Sequence, residues 1–133
     1  MRIIVGGLGR KTGKTTLICR ILALSPGRNW TAVKISHHPP PDGASYSLLP
    51  DAAAGDTKRF HEAGAAHAFW LRGDLLSALP ELQVLLAAAP NWIVESGTAI
   101  RHLKHDFALL AVDPAHMEDE KLLGLLDRGE VDG

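Results

Sequence analysis

Near its start the chain carries the segment Leu8-Gly9-Arg10-Lys11-Thr12-Gly13-Lys14-Thr15. The apolar run Ile3-Ile4-Val5-Gly6 precedes it, and a helical pattern from Thr16 to Leu24 follows it. Glycines allow successive backbone N–H groups to point at one anion, and the helix behind them presents its positive end to the same position. A strand, a glycine-bearing loop, Gly-Lys-Thr and a helix in this order predict a phosphate-binding loop.

Two side chains of this segment have separate predicted roles. We expect Lys14 to reach the β- and γ-phosphates of a nucleoside triphosphate and to act catalytically by stabilising charge on the transferred phosphoryl group. The Thr15 hydroxyl is a ligand of the kind that Mg²⁺ prefers. The predicted phosphate-binding residues are Gly9, Arg10, Lys11, Thr12, Gly13, Lys14, Thr15 and Thr16.

The loop departs from the usual pattern, Gly-x4-Gly-Lys-Ser/Thr, at the first glycine, where this chain has Leu8. That glycine mainly eases the turn out of the strand, and Gly7 and Gly9 flank Leu8 and can share the task. The alternative is a chance Gly-Lys-Thr in a surface turn. A position between an apolar run and an amphipathic helix favours the phosphate-binding interpretation.

The composition is that of one globular domain. The 133 residues suffice for a single core and are too few for two, so residues 1–133 are interpreted as one nucleotide-binding domain with a frayed tail at about 128–133. A net charge of −1 without a basic block argues against a nucleic-acid or membrane surface. The single cysteine, Cys19, predicts a buried thiol in a reduced, cytoplasmic protein, and no apolar run predicts a membrane span or a signal peptide.

Alternating strand and helix patterns predict an α/β fold. The expected strands are at about 2–6, 30–36, 66–71, 91–95 and 107–113, and the expected helices at about 13–24, 56–63, 80–89 and 117–126. Asp56 is the expected N-cap of the second helix, Pro80 is expected in the first turn of the third, and residues 39–55 are expected to form a long loop. Right-handed crossovers between such strands produce a mostly parallel sheet, and we expect the three-layer fold of P-loop NTPases.

Polar side chains end several of the predicted strands, which is where ligands bind in α/β sheets. Glu95 ends the fourth strand and is a candidate to hold Mg²⁺ or to orient an attacking water, the alternative being a solvated or helix-capping glutamate. Lys34, late in the second strand, or Asp56 could complete the γ-phosphate side. Asp113, after the fifth strand, could accept two adjacent donors of guanine, although the Asn-Lys-x-Asp box of many GTPases is absent.

Adjacent histidines, His37 and His38, follow the second strand. Neighbouring residues on an extended chain point to opposite sides, so without a bend the two cannot hold one metal ion. His61 and His67 are available as further ligands, but no cysteine or His-x3-His spacing supports a metal site. The pair is open to two interpretations, polar loop residues near a nucleotide or metal ligands.

Four segments together resemble the MobB family, the molybdopterin-guanine dinucleotide biosynthesis adaptor proteins, which are P-loop NTPases. The resemblance covers about residues 1–113 and rests on Gly13-Lys14-Thr15-Thr16-Leu17, Lys34-Ile35-Ser36-His37-His38, Asp56-Thr57-Lys58-Arg59-Phe60-His61-Glu62-Ala63-Gly64-Ala65 and Val94-Glu95-Ser96-Gly97. It implies binding of GTP with Mg²⁺, slow hydrolysis, assistance to a molybdopterin guanylyltransferase-like enzyme, and a homodimer. ATP is the alternative nucleotide.

The chain also departs from the family pattern. Lys11 replaces a small loop residue, Ser96 stands where glycine follows the glutamate, and Thr98-Ala99 replaces an aromatic residue and a lysine. These changes bear on the dimer contact and the partner more than on the nucleotide site.

Slow hydrolysis is also expected because no catalytic glutamine or arginine is readable, although Arg10, Arg59 or Arg101 could serve if correctly placed. Three other functions are compatible with the sequence. They are a metallochaperone GTPase suggested by the histidines, a small-molecule kinase with residues 39–55 as a lid, and a nucleotide-sensing module without catalysis.

Overall fold

A computed structural model describes residues 1–7, 13–50 and 55–111 of the chain. The chain forms an α/β fold with six strands, three helices and a short 3-10 helix in the described part. In chain order these elements are β1 (Arg2–Gly7), α1 (Lys14–Leu24), β2 (Trp30–Ser36), β3 (Tyr46–Pro50), α2 (Gly55–Glu62), β4 (His67–Gly73), α3 (Leu75–Ala87), β5 (Asn91–Glu95), the 3-10 helix (Ala99–Arg101) and β6 (Phe107–Ala111).

The strands form one sheet in the order β3-β4-β2-β5-β1-β6. All neighbouring pairs are parallel except β3 with β4, which is antiparallel. β1 lies between β5 and β6, and β5 in turn lies beside β2. The parallel strands therefore end at one end of the sheet, called here the carboxyl end, and begin at the opposite amino end.

Both faces of the sheet are covered by apolar side chains, as expected for buried parallel strands. On one face, Ile3 and Val5 of β1 pack with Ile18 of α1 and Phe60 of α2. On the other face, Ile4 of β1 belongs to a second cluster that includes the inner side of α3. Successive residues of a strand point to opposite faces, so the sheet is packed between α1 and α2 on one side and α3 on the other.

The long loop expected over residues 39–55 is wrong in part, because β3 occupies residues 46–50 within it. β3 is an antiparallel edge strand held by its pairing with β4, from Tyr46 beside Gly73 to Pro50 beside Phe69. A short strand of this kind is specified by its partner more than by its own periodicity.

The expected start of the third helix at Pro80 is also wrong. α3 begins five residues earlier, at Leu75, and Asp74 caps it by accepting a hydrogen bond from the Ser77 backbone N–H. Pro80 lies inside the helix, where its ring removes one backbone hydrogen bond. Asp56 is likewise not an N-cap, since it lies in the first turn of α2, which starts at Gly55.

Several predictions fall outside the described residues. They concern loop residues 8–12, the end of the fifth strand at residues 112 and 113, the helix at 117–126 and the tail at 128–133. In the part of the chain that is described, no helix has both the length and the hydropathy that a membrane span requires.

Candidate functional site

The three central strands carry the predicted site residues to one place at the carboxyl end. In the register of the sheet, Glu95 of β5 lies beside Val5 of β1 on one side and beside Lys34 of β2 on the other. Val5 packs into the cluster under α1, and register neighbours share a face, so Glu95 and Lys34 point toward α1 and α2. The sheet order thus brings together the ends of β1, β2 and β5.

Glu95 is bonded to the start of α1. The Thr15 hydroxyl donates a hydrogen bond of 2.8 Å to Oε1 of Glu95. Glu95 is only 5 % exposed, and no other hydrogen-bond donor to its carboxylate occurs among residues 1–7, 13–50 and 55–111. A carboxylate this buried ordinarily accepts several hydrogen bonds or binds a cation, so its environment in the described chain is incomplete.

Gly13 places the first turn of α1 toward the same position. Its φ of 86° is left-handed, a conformation that glycine adopts at little cost. Gly13 is the N-cap residue and has no side chain to bond the free N–H groups of the first turn. Lys14 is half-buried and Thr16 is exposed, so this turn offers backbone donors, a lysine and two hydroxyls.

Lys34 and Asp56 form an ion pair beside Glu95. The Lys34 ammonium contacts Oδ2 of Asp56, and the two side chains are 30 % and 29 % exposed. β2 positions the lysine, and the first turn of α2 positions the aspartate. The predicted γ-phosphate residues therefore lie together, but each is the other's partner in this structure.

Arg59 is the described candidate arginine that approaches the start of α1. Its guanidinium donates a hydrogen bond of 3.5 Å to the Thr16 hydroxyl. Arg101 lies in the 3-10 helix beyond β5, and Arg10 is outside the described residues.

Ser96, which departs from the MobB pattern, has a structural role. Its backbone N–H donates to the Val5 carbonyl at 2.9 Å, and its hydroxyl accepts from the N–H groups of Thr98 and Ala99 at 3.2 and 3.1 Å. The chain passes close to β1 here, since a Cβ on Gly6 would lie 3.3 Å from the Ser96 carbonyl oxygen. These contacts fix the turn directly after Glu95.

Cys19 lies one turn along α1 from the Thr15–Glu95 pair and packs against the cluster under α1 and α2. It is half-buried. Burial raises the pKa of its thiol, Arg59 opposes that shift, and the negative charges of Asp56 and Glu95 add to it. The expectation of a packed thiol is met in part, since Cys19 is not fully enclosed.

The described histidines considered as metal ligands do not form a cluster. His37, His38, His61 and His67 are all exposed, and among the described residues no three His, Cys, Asp or Glu side chains are close enough to hold a metal ion. Within this part of the chain, nothing supports the interpretation of His37 and His38 as metal ligands over their interpretation as polar loop residues.

A cavity of about 600 Å³ lies at the opposite, amino end of the sheet. Arg2, Gln83, Trp92 and Lys104 are among the residues that line it. None of the predicted site residues borders it, so this cavity and the predicted chemistry lie at opposite ends of the sheet.

Comparison of the chain with protein-family models, curated proteins and solved structures finds no match. The relation to MobB therefore stays a prediction from sequence motifs. Among the predicted site residues, the described structure brings together the Gly13–Thr16 turn, Lys34, Asp56 and Glu95. Gly9, Arg10, Lys11, Thr12 and Asp113 lie outside the described residues.

Two polar residues near this site were not predicted, Trp70 and Arg72 of β4. The predicted third strand, 66–71, includes Trp70 without assigning it a role, and Arg72 lies one residue beyond its expected end. Their position follows only from the pairing of β4 with β2, which sets Trp70 beside Lys34 and Arg72 beside Ser36. Residues two positions apart on a strand share a face, but nothing in the sequence marks the face of Trp70 and Arg72 as functional.

Proposed function

We propose that this chain binds a nucleoside triphosphate, GTP, together with Mg²⁺, and hydrolyses it slowly. The observation that carries the proposal is the 2.8 Å hydrogen bond between the Thr15 hydroxyl and the buried Glu95 carboxylate. The two residues are 80 positions apart, and the place of each in the sequence predicts a Mg²⁺ ligand.

The donor set supports Mg²⁺ on chemical grounds. A threonine hydroxyl and a carboxylate are hard oxygen ligands, which this ion prefers. Glu95 is buried and receives one hydrogen bond from the described chain, and a bound cation would compensate its charge. When bound, Mg²⁺ neutralises charge on the phosphate oxygens.

The residues around this pair suit the rest of a triphosphate. The N–H groups of the first turn of α1 and the half-buried Lys14 donate to phosphate oxygens. Lys34 lies beside Glu95 in the sheet and provides a second positive charge, after Lys14, near the phosphates. In this arrangement Lys14 stabilises charge on the transferred phosphoryl group, while Thr15 and Glu95 organise the metal.

Slow hydrolysis is supported by the location of the chain's single glutamine. Gln83 is on α3 and lines the cavity at the amino end of the sheet, so it cannot orient water at Glu95. Arg59, which reaches Thr16, is the described arginine best situated to stabilise phosphate charge.

The nucleotide and the cellular role rest on the resemblance to MobB. We propose GTP over ATP, with Asp113 as the guanine acceptor. We also propose that the protein acts as a cytoplasmic homodimer that assists a molybdopterin guanylyltransferase-like enzyme in molybdenum cofactor biosynthesis.

The test is a titration with fluorescent GTP and ATP analogues, with and without Mg²⁺, on the wild type and on Lys14→Ala. Lys58→Ala is the matched control, because Lys58 is exposed and pairs at 3.8 Å with Glu62 on its own helix. We expect Mg²⁺-dependent GTP binding that Lys14→Ala removes and Lys58→Ala keeps. Preference for ATP would overturn the guanine assignment, and no binding of either nucleotide would overturn the proposal.

A further inference from the structure

Two rows of side chains cross the sheet on the face of α1 and α2, near the carboxyl end. The lower row is Glu95, Lys34, Trp70 and Leu49, which are register neighbours on β5, β2, β4 and β3. The upper row, one pleat nearer the strand ends, is Ser36, Arg72 and Ser47. In the register, the upper row places Arg72 between two serines, and the Arg72 guanidinium lies over Trp70 of the lower row.

Arg72 has no ion-pair partner among residues 1–7, 13–50 and 55–111. It is half-buried, and its guanidinium lies 4.2 Å from the centre of the Trp70 ring. Stacking on an aromatic ring fixes the guanidinium plane and leaves its N–H donors at the rim unused. The arrangement therefore presents an oriented cation that no carboxylate of the described residues pairs with.

The Trp70 indole N–H is a second donor for which the described residues provide no acceptor. The indole N–H is buried and makes no hydrogen bond in the described chain. A buried donor of this kind is costly, and most such groups in folded proteins have a partner.

The flanking serines supply hydroxyl donors. Both are half-buried. The Ser36 Oγ accepts a hydrogen bond of 3.4 Å from the His38 N–H, so its own proton is available to a ligand. Next to this row, Leu49 is 58 % exposed and provides apolar surface beside the Trp70 ring.

We propose that Ser36, Arg72 and Ser47, together with Trp70, form a binding subsite for a small organic acid, whose phosphate or carboxylate group binds Arg72 and whose apolar body lies toward Leu49. Charge-assisted hydrogen bonds from a guanidinium are strong and match either anion. The serine hydroxyls complete the set of donors around the bound oxygens.

The subsite goes beyond nucleotide binding and does not depend on it. Lys34 separates Arg72 and Trp70 from Glu95 in the register of the sheet. If the proposed function holds, an acid bound at Arg72 adjoins the triphosphate and is its neighbouring substrate or effector.

The experiment follows the indole N–H signal of Trp70 by ¹⁵N NMR, with the signal assigned from Trp70→Phe. Inorganic phosphate and benzoate are titrated separately at constant pH and ionic strength, without nucleotide. The two probes distinguish a phosphate ligand from a carboxylate ligand. The titrations are made on Lys14→Ala as well as on the wild type, so that phosphate binding at the start of α1 does not contribute.

We expect a saturable shift with at least one probe, retained in Lys14→Ala. Arg72→Gln should weaken binding about tenfold or more, and Ser47→Ala, which leaves the guanidinium in place, should weaken it less. Arg28→Gln is the matched control, because Arg28 is exposed and lies in the turn before β2, and it should bind as the wild type does.

The proposal is overturned if neither probe gives a saturable shift, if the shift disappears in Lys14→Ala, or if Arg72→Gln binds as the wild type does. Failure of GTP binding with phosphate or benzoate binding intact would refute the proposed function and leave this subsite standing.

Discussion

The two ends of the sheet carry similar charges in different surroundings. At the amino end, the Arg2 guanidinium bonds Asp106 at 3.0 Å, and Asp106 also accepts the Arg2 backbone N–H at 2.8 Å. These side chains are 46 % and 40 % exposed. At the carboxyl end, Glu95 is 5 % exposed and accepts one described hydrogen bond, from Thr15.

The difference separates a structural arrangement from a site. Exposed, mutually bonded groups such as Arg2 and Asp106 join two parts of the chain, here β1 and the start of β6, at little desolvation cost. A buried carboxylate with one donor lowers stability unless something else compensates it. Charges retained under such conditions are typical of residues that bind ligands.

Glu95→Gln is expected to have the largest effect. The amide keeps an oxygen to accept the Thr15 hydroxyl but removes the buried charge, so the melting temperature should rise while Mg²⁺-dependent GTP affinity falls about 100-fold. Thermal denaturation and nucleotide titration measure the two. A lower melting temperature with unchanged affinity would make Glu95 a structural residue, like Asp106.

Gly13→Ala and Gly27→Ala form a matched pair at the two ends of α1. Both glycines have left-handed φ, 86° and 79°, and a Cβ at either position would meet no atom of the described residues within 4 Å. Each substitution should therefore lower the free energy of unfolding by about 1 kcal/mol from backbone strain alone. Denaturant unfolding measures this.

Only Gly13→Ala should also weaken GTP binding, because Gly13 orients the first turn of α1. Equal affinities in the two variants would argue against phosphate contact at this turn.

Asp106→Asn should lower the melting temperature at neutral pH and leave nucleotide affinity unchanged. The hydrogen bond from the Arg2 guanidinium, followed by that from the Arg2 backbone N–H, holds the pKa of Asp106 below its ordinary value. Stability from this group is therefore present above the ordinary carboxyl pKa, about 3.9, and is lost as the pH falls through the lowered pKa of the folded state.

Melting curves of the wild type and Asp106→Asn from neutral pH into acid test this dependence. The difference should be steady near neutrality and disappear in acid. A difference that grows on acidification would contradict the assigned pairing.

The smallest expected effect is on the reaction rate of the Cys19 thiol, whose pKa depends on the charges at the carboxyl end. Because burial raises the pKa of its thiol, reaction with a disulfide reagent at pH 8 should be slower than that of a small free thiol. Glu95→Gln removes one negative charge that adds to the shift, so the rate should rise modestly, whereas Asp106→Asn should leave it unchanged. Equal rates in all three proteins would show that access of the reagent to the thiol, and not the nearby charge, controls its reaction rate.

Much of the fold is readable in the sequence because most strands are apolar and lie between helices. β2 and β5 have the predicted bounds, 30–36 and 91–95, and α1 begins one residue later than predicted. β3 was missed because the run from Tyr46 to Pro50 is stabilised by a distant partner, β4. α3 starts earlier than predicted because Asp74 caps it, and Pro80 lies inside the helix instead of in its first turn.

The sequence predicts single residues of the candidate site from their positions at strand ends, but it does not predict the contacts between them. Thr15 and Glu95 each had a local signal, but their contact depends on β5 lying next to β1. The pairing of Lys34 with Asp56 depends on the packing of α2 over β2. Trp70 and Arg72 had no signal of function, since only the register of β4 shows that they share a face with Lys34.

The central claim is that Thr15 and Glu95 act together in one Mg²⁺ site. A double-mutant cycle of Thr15→Val and Glu95→Gln on the affinity for GTP, with and without Mg²⁺, tests it most directly. The account predicts that each single variant loses the Mg²⁺-dependent part of the affinity and that the double variant loses little more. Independent, additive losses, or no loss in either single variant, would contradict it.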